Sequence, residues 1–387
     1  MPKVLYLATE DWFFCRHFLP MGRAAASAGF DVTVAAKAST AIERIRAEGF
    51  TFVACNNNRR SLGVFEIVRS VARIAAIIRA EKPDIVHCIS IRTALLGGAA
   101  ARLAGARLLV LAPTGLGDLW LRQGIVVSLA RGITRFALSR FFRRSGTHYL
   151  FENTDDLREF GLKADDIDVT IVNGAGVNPD EFAKSDEPPA KILKVAVVAR
   201  MLKPKGIAEA VAATLQARSR GTPVELHLFG LPDPSNRLSY AEDDLKQWAD
   251  HCGIYWHGQT KDPAAVYRQH HVAMLLSYRE GLPRTLVEAA AIGRPIITTD
   301  VAGCREVVRD EIEGFLVTPG DLERVCLLLA RLAEDEDLRA RMGRAARQRF
   351  EERFTEAAVC STVTDLYQRL IANLPPTKLQ KSRNSQR

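Results

Sequence analysis

The sequence has few features of a secreted or membrane-spanning protein. Its seven cysteines are odd in number and scattered, with no Cys-x-x-Cys pair, which argues against a disulfide framework or a zinc site and favours a reducing compartment. No run of about 18 uncharged apolar residues occurs, so we expect no bilayer-spanning helix. The opening stretch MPKVLYLATEDWFF has one Lys and a short apolar run, which favours a first strand over a signal peptide.

Patterns typical of dehydrogenases and nucleic-acid-binding proteins are missing too. No Gly-x-Gly-x-x-Gly follows the first apolar run, where EDWFFCR stands instead, and this argues against an NAD-dependent dehydrogenase. No zinc-finger, RNP-like or basic-zipper pattern occurs, so we expect no nucleic-acid partner despite the net charge of +8.

The charge is distributed unevenly along the chain. Residues 1–148 contain 21 Lys and Arg against 9 Asp and Glu, a net charge of +12, and residues 376–387 carry +4. The rest of the chain carries −8. We expect the basic first half to bind an anionic partner. A membrane surface or a phosphorylated substrate fits this charge pattern better than nucleic acid does.

Short apolar runs alternate with helical patterns twice along the chain. In the first half KVLYLAT, FDVTVAA, FTFVAC, DIVHCIS and RLLVLAPTG predict strands, and in the second half LKVAVVARM, VELHLFG, HVAMLLS and PIITTD do so. Strands separated by helices form parallel, doubly wound sheets. The sequence therefore predicts an α/β protein with two Rossmann-like domains, which its 387 residues also favour.

The polar, Pro-rich stretch SDEPPAKI has the composition of an interdomain linker. We therefore expect a first domain over residues 1–185 and a second over residues 186–350. A C-terminal helix is expected over residues 351–373. Residues 374–387 contain too few apolar residues to fold and are expected to form a disordered basic tail.

Residues 119–144 combine apolar residues at three- and four-residue spacing with arginines. A basic amphipathic helix with aromatic residues can lie in a membrane interface. The same pattern fits a helix that turns its apolar face to the core and its basic face to solvent. The sequence leaves both interpretations open.

Glu280 and Glu288 stand on either side of a Gly-Leu-Pro turn. The apolar run HVAMLL before them predicts a buried strand, and Pro283 suits the first position of a helix. Glu280 would then lie at the carboxyl end of a strand, where open α/β sheets bind ligands. The two carboxylates are candidates for holding a polyhydroxylated ligand; the alternative is a loop carboxylate and a solvated helix residue.

The stretch VVARMLKPKGIAEA places Arg200 and Lys205 between a strand and a helix that begins near Gly206. Free amides at a helix start favour a diphosphate, which Arg grips in a bidentate manner and Lys as a point charge. The alternative is a basic surface loop.

Three segments of the second half occur in an order and spacing that resemble a known family. ARMLKPKG, the EGLP segment up to Glu288, and TTDVAGCREVVRDEIEGFLVTPGD resemble the C-terminal domain of family 4 (group 1) glycosyltransferases. These are retaining enzymes that use nucleotide sugars. The resemblance implies the GT-B fold, in which two Rossmann-like domains face a cleft and the last helix crosses back to the first domain.

The first half resembles a subgroup of that family. PDIVHCIS, PTGLG, FENTDDLREFGL and NGAGVNPDEF, with FGLPDPSN further on, are similar to bacterial, N-acetylgalactosaminyltransferase-like enzymes that extend undecaprenyl-diphosphate-linked oligosaccharides. The resemblance implies that the loop containing Asp233 and Asn236 lies near the donor, although these residues are first of all turn formers.

The resemblance also implies roles for individual residues. Arg200 and Lys205 would bind the donor diphosphate, Glu280 the sugar hydroxyls and Glu288 the ribose hydroxyls, with the backbone amides of Gly281 and Leu282 beside the sugar and phosphate. Glu280, Arg200 and Lys205 form the expected catalytic set. Fixed cations and helix-start amides can stabilise a departing nucleoside diphosphate without a metal, and no Asp-x-Asp motif stands where one would be needed. We therefore expect no metal and no cofactor.

The chain departs from the family pattern on the acceptor side. The usual Gly-Gly loop after the first strand is replaced by DWFFCRHFLP, and the usual His before the Gly of PTGLG is Thr114. The acceptor-side candidates are His17, Thr114 and Gly115, and His87 is a further histidine of this half; a lone His is often structural. The family mechanism, in which the leaving phosphate takes the acceptor proton, needs no general base.

The second half contains five histidines, which are spread over several predicted elements. This distribution argues against a metal site. They are His227, His251, His257, His270 and His271.

Taken with the resemblance, the sequence predicts a retaining glycosyltransferase. It would move a sugar, an N-acetylhexosamine, from a UDP-sugar to a polyprenyl-diphosphate-linked saccharide in cell-surface polysaccharide or glycan assembly. The expected location is cytoplasmic, peripheral on the inner face of the plasma membrane. Two alternatives are a GT-B-fold UDP-sugar epimerase and a non-catalytic nucleotide-binding scaffold at the membrane.

Overall fold

A computed structural model describes most of the chain as two parallel α/β units. The described residues are 1–55, 63–116, 120, 124–189, 191–234 and 236–374. Residues 119 and 121–123 of the arginine-rich segment, and most of the expected basic tail, lie outside them.

The first unit is built on a parallel sheet that has seven strands among the described residues, in the order β3-β2-β1-β4-β5-β6-β7. Every residue of the central strands β4, β5 and β6 is buried, because helices cover both faces of a doubly wound sheet. The strands are β1 (Lys3–Glu10), β2 (Asp31–Lys37), β3 (Thr51–Ala54), β4 (Ile85–Ile89), β5 (Leu108–Ala112), β6 (Thr147–Phe151) and β7 (Val169–Ile171).

Helices connect these strands, as the alternating pattern predicts. The helix after β4 packs very closely: a Cβ on Gly97 would lie 2.7 Å from Cys88 Sγ and 2.8 Å from Leu7 Cδ1, so its small residues let it lie directly on β1 and β4. The helices are α1 (Asp11–His17), α2 (Leu19–Ser27), α3 (Ile42–Ala47), α4 (Val64–Glu81), α5 (Ile91–Ala104), α6 (Ile125–Phe136), which continues as a π-helical turn (Ala137–Phe141), and α7 (Thr154–Glu159).

The second unit has a parallel sheet with six strands among the described residues, in the order β10-β9-β8-β11-β12-β13. Its strands are β8 (Leu193–Val198), β9 (Val224–Phe229), β10 (Ile254–Trp256), β11 (Val272–Leu275), β12 (Ile296–Thr299) and β13 (Gly314–Val317). A short 3₁₀ turn (Lys203–Lys205) precedes the helices α8 (Ile207–Ser219), α9 (Glu242–Ala249), α10 (Pro263–Arg268), α11 (Arg284–Ile292), α12 (Ala302–Val307), α13 (Leu322–Glu334) and α14 (Glu336–Arg353).

The last described helix, α15 (Glu356–Ala372), returns to the first unit. Its buried residues Val359, Val363 and Leu366 belong to the same apolar core as strands β1 and β2. The preceding helix α14 extends past residue 350, the expected end of the second domain, to Arg353. α15 therefore begins at Glu356 rather than at the expected residue 351. The expected boundary near residue 185 falls between the last strand of the first sheet and the first strand of the second.

Each sheet has a switch point where the strand order reverses. In the second sheet it lies between the neighbouring strands β8 and β11, and in the first between β1 and β4. Ligands of open α/β sheets bind outside the carboxyl ends of the strands at this point. In the described part of the chain, no helix has both the length and the apolar character needed to cross a bilayer.

Candidate active site

Lys205 and Glu280 meet at the switch point of the second sheet. Lys205 ends the 3₁₀ turn after β8, and Glu280 lies in the loop after β11. Lys205 Nζ donates to Glu280 Oε1 at 2.5 Å, and Ser277 Oγ donates to the same oxygen at 2.6 Å. The two charged side chains are only 23% and 11% exposed. The structure therefore brings together two residues that are 75 positions apart in the sequence.

A glycine lets the two loops approach each other. Gly206 has a φ of +68°, and a Cβ there would lie 2.1 Å from the carbonyl oxygen of Leu276. The amide of Tyr278 also donates to the carbonyl of Pro204 at 3.0 Å. Only glycine allows the start of α8 to lie this close to the end of β11, and this contact places the α8 amides beside the Lys205–Glu280 pair.

Arg200 lies on the same loop as Lys205 but has a different partner. Its Nη1 donates to Asp233 Oδ2 at 3.2 Å, and its side chain is largely exposed. Asp233 belongs to the loop after β9, which the resemblance places near the donor. The two expected diphosphate ligands are thus held apart, Lys205 inside the crevice and Arg200 at its rim.

Glu288 is buried on α11 rather than solvated, being 2% exposed. Arg284 Nε donates to its Oε1 at 2.9 Å. Its Oε2 is buried and has no hydrogen-bond partner among the described residues. Burial raises the pKa of Glu288, and the neighbouring Arg284 acts against this rise. A buried acceptor without a donor costs stability, and a ligand hydroxyl would supply the missing donor.

The Gly281–Leu282 turn lies against the first domain. Asn153 Nδ2 donates to the Gly281 carbonyl at 2.7 Å. A Cβ on Gly281 would lie 2.9 Å from both the Cα and the amide nitrogen of Gly115. The expected acceptor-side residue Gly115, with Thr114 next to it, therefore sits directly beside the turn expected to hold the donor sugar.

Two ion pairs cross the same seam. Arg279 Nη2 donates to Asp156 Oδ1 at 2.8 Å, and Arg305 Nη2 donates to Asp155 Oδ2 at 2.6 Å. Both carboxylates lie in the first turn of α7, whose N-cap is Asn153. The start of α7 is therefore a main contact between the first domain and the loops of the second.

His17 lies at the seam as well. It lines a small cavity of ≈ 30 Å³ with Glu152, Asn173, Leu282 and other residues. Burial, with the positive charges of Arg284 and Arg16, lowers the pKa of His17 to about 3. Its imidazole is therefore neutral near pH 7 and is not a proton donor to the reaction in its charged form.

Glu152 is a cleft residue that the sequence pattern did not single out. It lines the same cavity, and its Oε2 lies 2.7 Å from the position a Cβ on Gly281 would take. Burial and the negative charges of Asp156 and Glu280 raise the pKa of Glu152 to about 8. The sequence feature that could have pointed to Glu152 is its position at the carboxyl end of β6, within the FENTDD segment.

The remaining histidines fall outside this seam. His87 is fully buried in the core, with Nδ1 bonded to Tyr367 Oη at 2.5 Å, so it is structural. His227, His257 and His270 lie on different elements, as expected, yet they come together: His227 Nδ1 and His257 Nε2 are 2.9 Å apart, and the His227 and His270 rings have centroids 4.6 Å apart. Among the described residues, no group of three or more metal-ligating side chains is arranged to hold an ion.

The arginine-rich segment turns its apolar face outward. Five large apolar side chains of α6 are between 60% and 90% exposed, so the interpretation of a core-facing helix is wrong for this face. They are Ile125, Val126, Leu129, Ile133 and Phe136.

Two protein-family models match the chain. The model described as "Glycosyl transferases group 1" matches residues 177–349, and "Glycosyl transferase 4-like" matches residues 3–143. The first range contains Lys205, Glu280 and Glu288, so the crevice of the second domain lies wholly within it.

Curated relatives are similar over most of their length. The chain is 24% identical over 327 residues to the capsular polysaccharide biosynthesis glycosyltransferase CapM of Staphylococcus aureus, covering 80% of this chain and 83% of the relative. It is 22% identical over 346 residues to N,N'-diacetylbacillosaminyl-diphospho-undecaprenol alpha-1,3-N-acetylgalactosaminyltransferase of Campylobacter jejuni, covering 86% and 89%.

The fold is shared with solved structures. The crystal structure of Anabaena Alr3699/HepE in complex with UDP and glucose aligns with a TM-score of 0.76 at 16% identity, over 95% of this chain and 100% of that chain. Structural similarity at this low identity establishes the fold and not the function. Together, the two family models and this similarity show that the chain belongs to the group 1, family 4-like glycosyltransferases and has the GT-B fold.

Proposed function

We propose that the protein transfers a sugar, an N-acetylhexosamine, from a UDP-sugar to a polyprenyl-diphosphate-linked saccharide with retention of configuration. The observation that carries this proposal is the crevice at the second switch point, where the Lys205–Glu280 pair lies on two converging loops and the unpartnered oxygen of Glu288 lies on the helix α11 that follows the second of them. Cations, a carboxylate and a buried acceptor match the diphosphate, the sugar hydroxyls and the ribose hydroxyls of a nucleotide sugar.

The comparisons support the choice of substrates. The Campylobacter jejuni relative is named for a diphospho-undecaprenol acceptor and an N-acetylgalactosaminyl group, and the Anabaena structure holds UDP and glucose. The Staphylococcus aureus relative is named for capsular polysaccharide biosynthesis. We assign this chain to cell-surface polysaccharide or glycan assembly on the same grounds.

On the donor side, stabilisation of the leaving group's negative charge accelerates the reaction. As the glycosidic bond breaks, negative charge grows on the departing UDP, and Lys205 with the α8 amides lies where that charge appears. Arg200 reaches the diphosphate by exchanging its exposed contact with Asp233 for the phosphate. Glu280 and the amides of Gly281 and Leu282 hold the sugar. We propose that no metal is needed.

On the acceptor side, the reaction takes place at the seam between the domains. Thr114 and Gly115 lie next to Gly281 there, and His17 is neutral near pH 7. In a retaining reaction without a protein nucleophile, the leaving phosphate takes the proton of the acceptor hydroxyl. The acceptor-side residues then orient that hydroxyl and exclude water, and none has to be a strong base.

We propose further that α6 docks on an anionic bilayer. Its exposed apolar residues end beside Arg140 and Arg144, which are exposed and form no ion pair with the described residues. An apolar face bordered by cations fits the headgroup boundary of anionic lipids. This orientation would bring the basic first domain to the inner face of the plasma membrane, where a polyprenyl-linked acceptor is held.

Vesicle sedimentation tests this docking surface. The wild type should sediment with vesicles containing anionic phosphatidylglycerol, and Leu129→Ser with Ile133→Ser should not, whereas Arg324→Ser on the exposed face of α13 should sediment like the wild type. Equal sedimentation of all three proteins would contradict the proposal. So would a dimer in analytical ultracentrifugation that the α6 substitutions abolish, because the face would then be covered by a second copy.

UDP release tests the function. Purified protein is incubated with a set of UDP-sugars, with and without a polyprenyl-diphosphate-linked monosaccharide, in the presence of EDTA. We expect release of UDP only when acceptor is present, and no loss of release with EDTA. Conversion of the UDP-sugar without acceptor would indicate an epimerase, and nucleotide binding without turnover would indicate a scaffold.

A further inference from the structure

Arg284 forms hydrogen bonds to both domains at once. Its Nε donates to Glu288 Oε1 at 2.9 Å, and its Nη1 donates to the carbonyl oxygen of Arg16 at 2.9 Å. Glu288 belongs to the second domain, and Arg16 lies near the end of α1 in the first. The Arg284 side chain is 18% exposed and Glu288 is 3% exposed, so the bond to Glu288 is shielded from water, whereas the bond to the Arg16 carbonyl lies at the exposed edge of the seam.

The first bond orients Glu288. With Oε1 occupied by the guanidinium, Oε2 is the oxygen left without a partner in a buried position. A carboxylate held through one oxygen presents the other in a fixed direction. Arg284 therefore determines which oxygen of Glu288 is offered to a ligand hydroxyl and where that oxygen points.

The second bond ends on a helix that is hydrogen-bonded to a neighbouring loop of the first domain. Asp11, at the start of α1, is fully buried and accepts bonds from the amides of Ser39 at 2.7 Å and Ala41 at 3.1 Å. These bonds attach α1 to the loop after β2. His17, the last residue of α1, lines the cavity at the seam together with Arg284. α1 is thus fixed to its own domain and contacts Arg284 only when the two domains are docked.

We propose that Arg284 is a positioning residue that couples nucleotide binding to closure of the two domains. Glu288 is held for the nucleoside when Arg284 spans to the Arg16 carbonyl, and the same bond holds the acceptor-side helix α1 against the donor site. This inference rests on the proposed function, because it takes the ligand of Glu288 to be the nucleotide of the donor.

Coupling of this kind is reciprocal. If closure improves nucleotide binding, nucleotide binding must favour closure by the same factor. In the sequence, Arg284 is the residue after the Pro of the EGLP segment and lies one helical turn before Glu288. Its i, i+4 spacing to Glu288 is what allows the bond within α11.

The experiment compares Arg284→Met, Arg284→Lys and the wild type. UDP affinity is measured by calorimetry, and the radius of gyration by small-angle X-ray scattering with and without UDP. We expect Arg284→Met to bind UDP about 10- to 100-fold more weakly, as for loss of a hydrogen bond to a charged group. We also expect UDP to compact the wild type but not this variant. The matched control is Arg324→Met on the exposed face of α13, which should behave like the wild type.

A pH profile separates positioning from loss of structure. Arg284 holds down the pKa of Glu288, so removing its charge should move the acid limit of UDP binding to higher pH. Arg284→Lys keeps the charge, so its acid limit should stay near that of the wild type, although one ammonium cannot span both acceptors and compaction should still be lost. Arg16 and Glu181 also act on Glu288, and Tyr267 lies beside it; all three are unchanged in these variants.

The outcomes are distinguishable from failure of the proposed function. If the wild type does not bind UDP, the proposed function fails. If the wild type binds UDP but Arg284→Met binds equally well, or is compacted equally by UDP, the coupling is refuted and the function is not. A uniform loss of affinity at all pH values would also refute positioning, because it would indicate a general structural defect.

Discussion

Lys205→Met tests the part of the site that is best defined by the structure. Lys205 Nζ lies 2.5 Å from Glu280 Oε1, and both side chains are mostly buried, so the substitution leaves Glu280 without its cation. Two effects are expected. Removing a fixed donor from developing charge lowers kcat by about 10²–10³, or about 3–4 kcal/mol. Leaving a shielded carboxylate unpaired lowers the free energy of unfolding by about 1–3 kcal/mol.

The control is Lys203→Met. Lys203 lies two residues earlier on the same 3₁₀ turn and is exposed, so its removal should change neither kcat nor the urea midpoint appreciably. The double variant Lys205→Met with Glu280→Gln should recover most of the lost stability, since no unpaired charge remains, but none of the activity. If Lys205→Met turned over UDP-sugar at the rate of Lys203→Met, the assignment of the donor site would be wrong.

Three further predictions concern the seam and the buried titratable groups. Arg279→Met should lower the free energy of unfolding by about 3 kcal/mol, because its partner Asp156 is buried. The Arg305 side chain is 45% exposed, so Arg305→Met should lower it by at most about 1 kcal/mol. Urea unfolding measures both values, and equal losses would contradict the burial argument. The pKa of Glu152 is raised to about 8, so its contribution to stability is present below about pH 4.5 and is lost as the pH rises through 8. Glu152→Gln should therefore become more stable relative to the wild type between pH 6 and 8.5. Parallel plots of the free energy of unfolding against pH for the two proteins would refute this. The pKa values of His227 and His270 are lowered to about 4, so their contribution is present above about pH 6.5 and is lost as the pH falls to 4; His227→Phe should flatten the acid loss of stability seen in chemical unfolding.

Much of the fold follows from local patterns in the sequence. Buried parallel strands have continuous apolar runs, and the helices between them have their own period, so the alternation was sufficient to predict two doubly wound domains. The convergence of Lys205 and Glu280 could also be anticipated, because each follows a predicted strand and the carboxyl ends of parallel strands share one edge. That β8 and β11 are neighbours is a property of strand order, which no local pattern contains.

Other features depend on which way a side chain faces. The spacing of apolar residues in α6 shows that an apolar face exists, but the exposure of Ile125 and Leu129 depends on the helices around it. The same limit applies to Glu288, for which a solvated position and a buried one give the same spacing to Glu280. Its burial beside Arg284 comes from the packing of α11 in the completed domain.

Contacts across the seam were the least predictable. Glu152 and Gly281 are 129 residues apart, and their approach depends on how two separately folded domains dock. The histidines likewise lie on different elements: His227 on β9 meets His257, just after β10, because the two strands are adjacent in the sheet, and His270 joins them from the end of α10. A single sequence contains no signal for such pairs beyond the chemical character of each residue.

The most direct test of the central claim follows a labelled sugar into the product. The protein is supplied with UDP-N-acetylhexosamine carrying a ¹³C label at the anomeric carbon and with a polyprenyl-diphosphate-linked monosaccharide, and the lipid product is analysed by NMR. We predict that the label appears in the lipid-linked saccharide with the α configuration of the donor. A β-linked product, or label that stays in the nucleotide sugar while the protein is saturated with both substrates, would contradict the account.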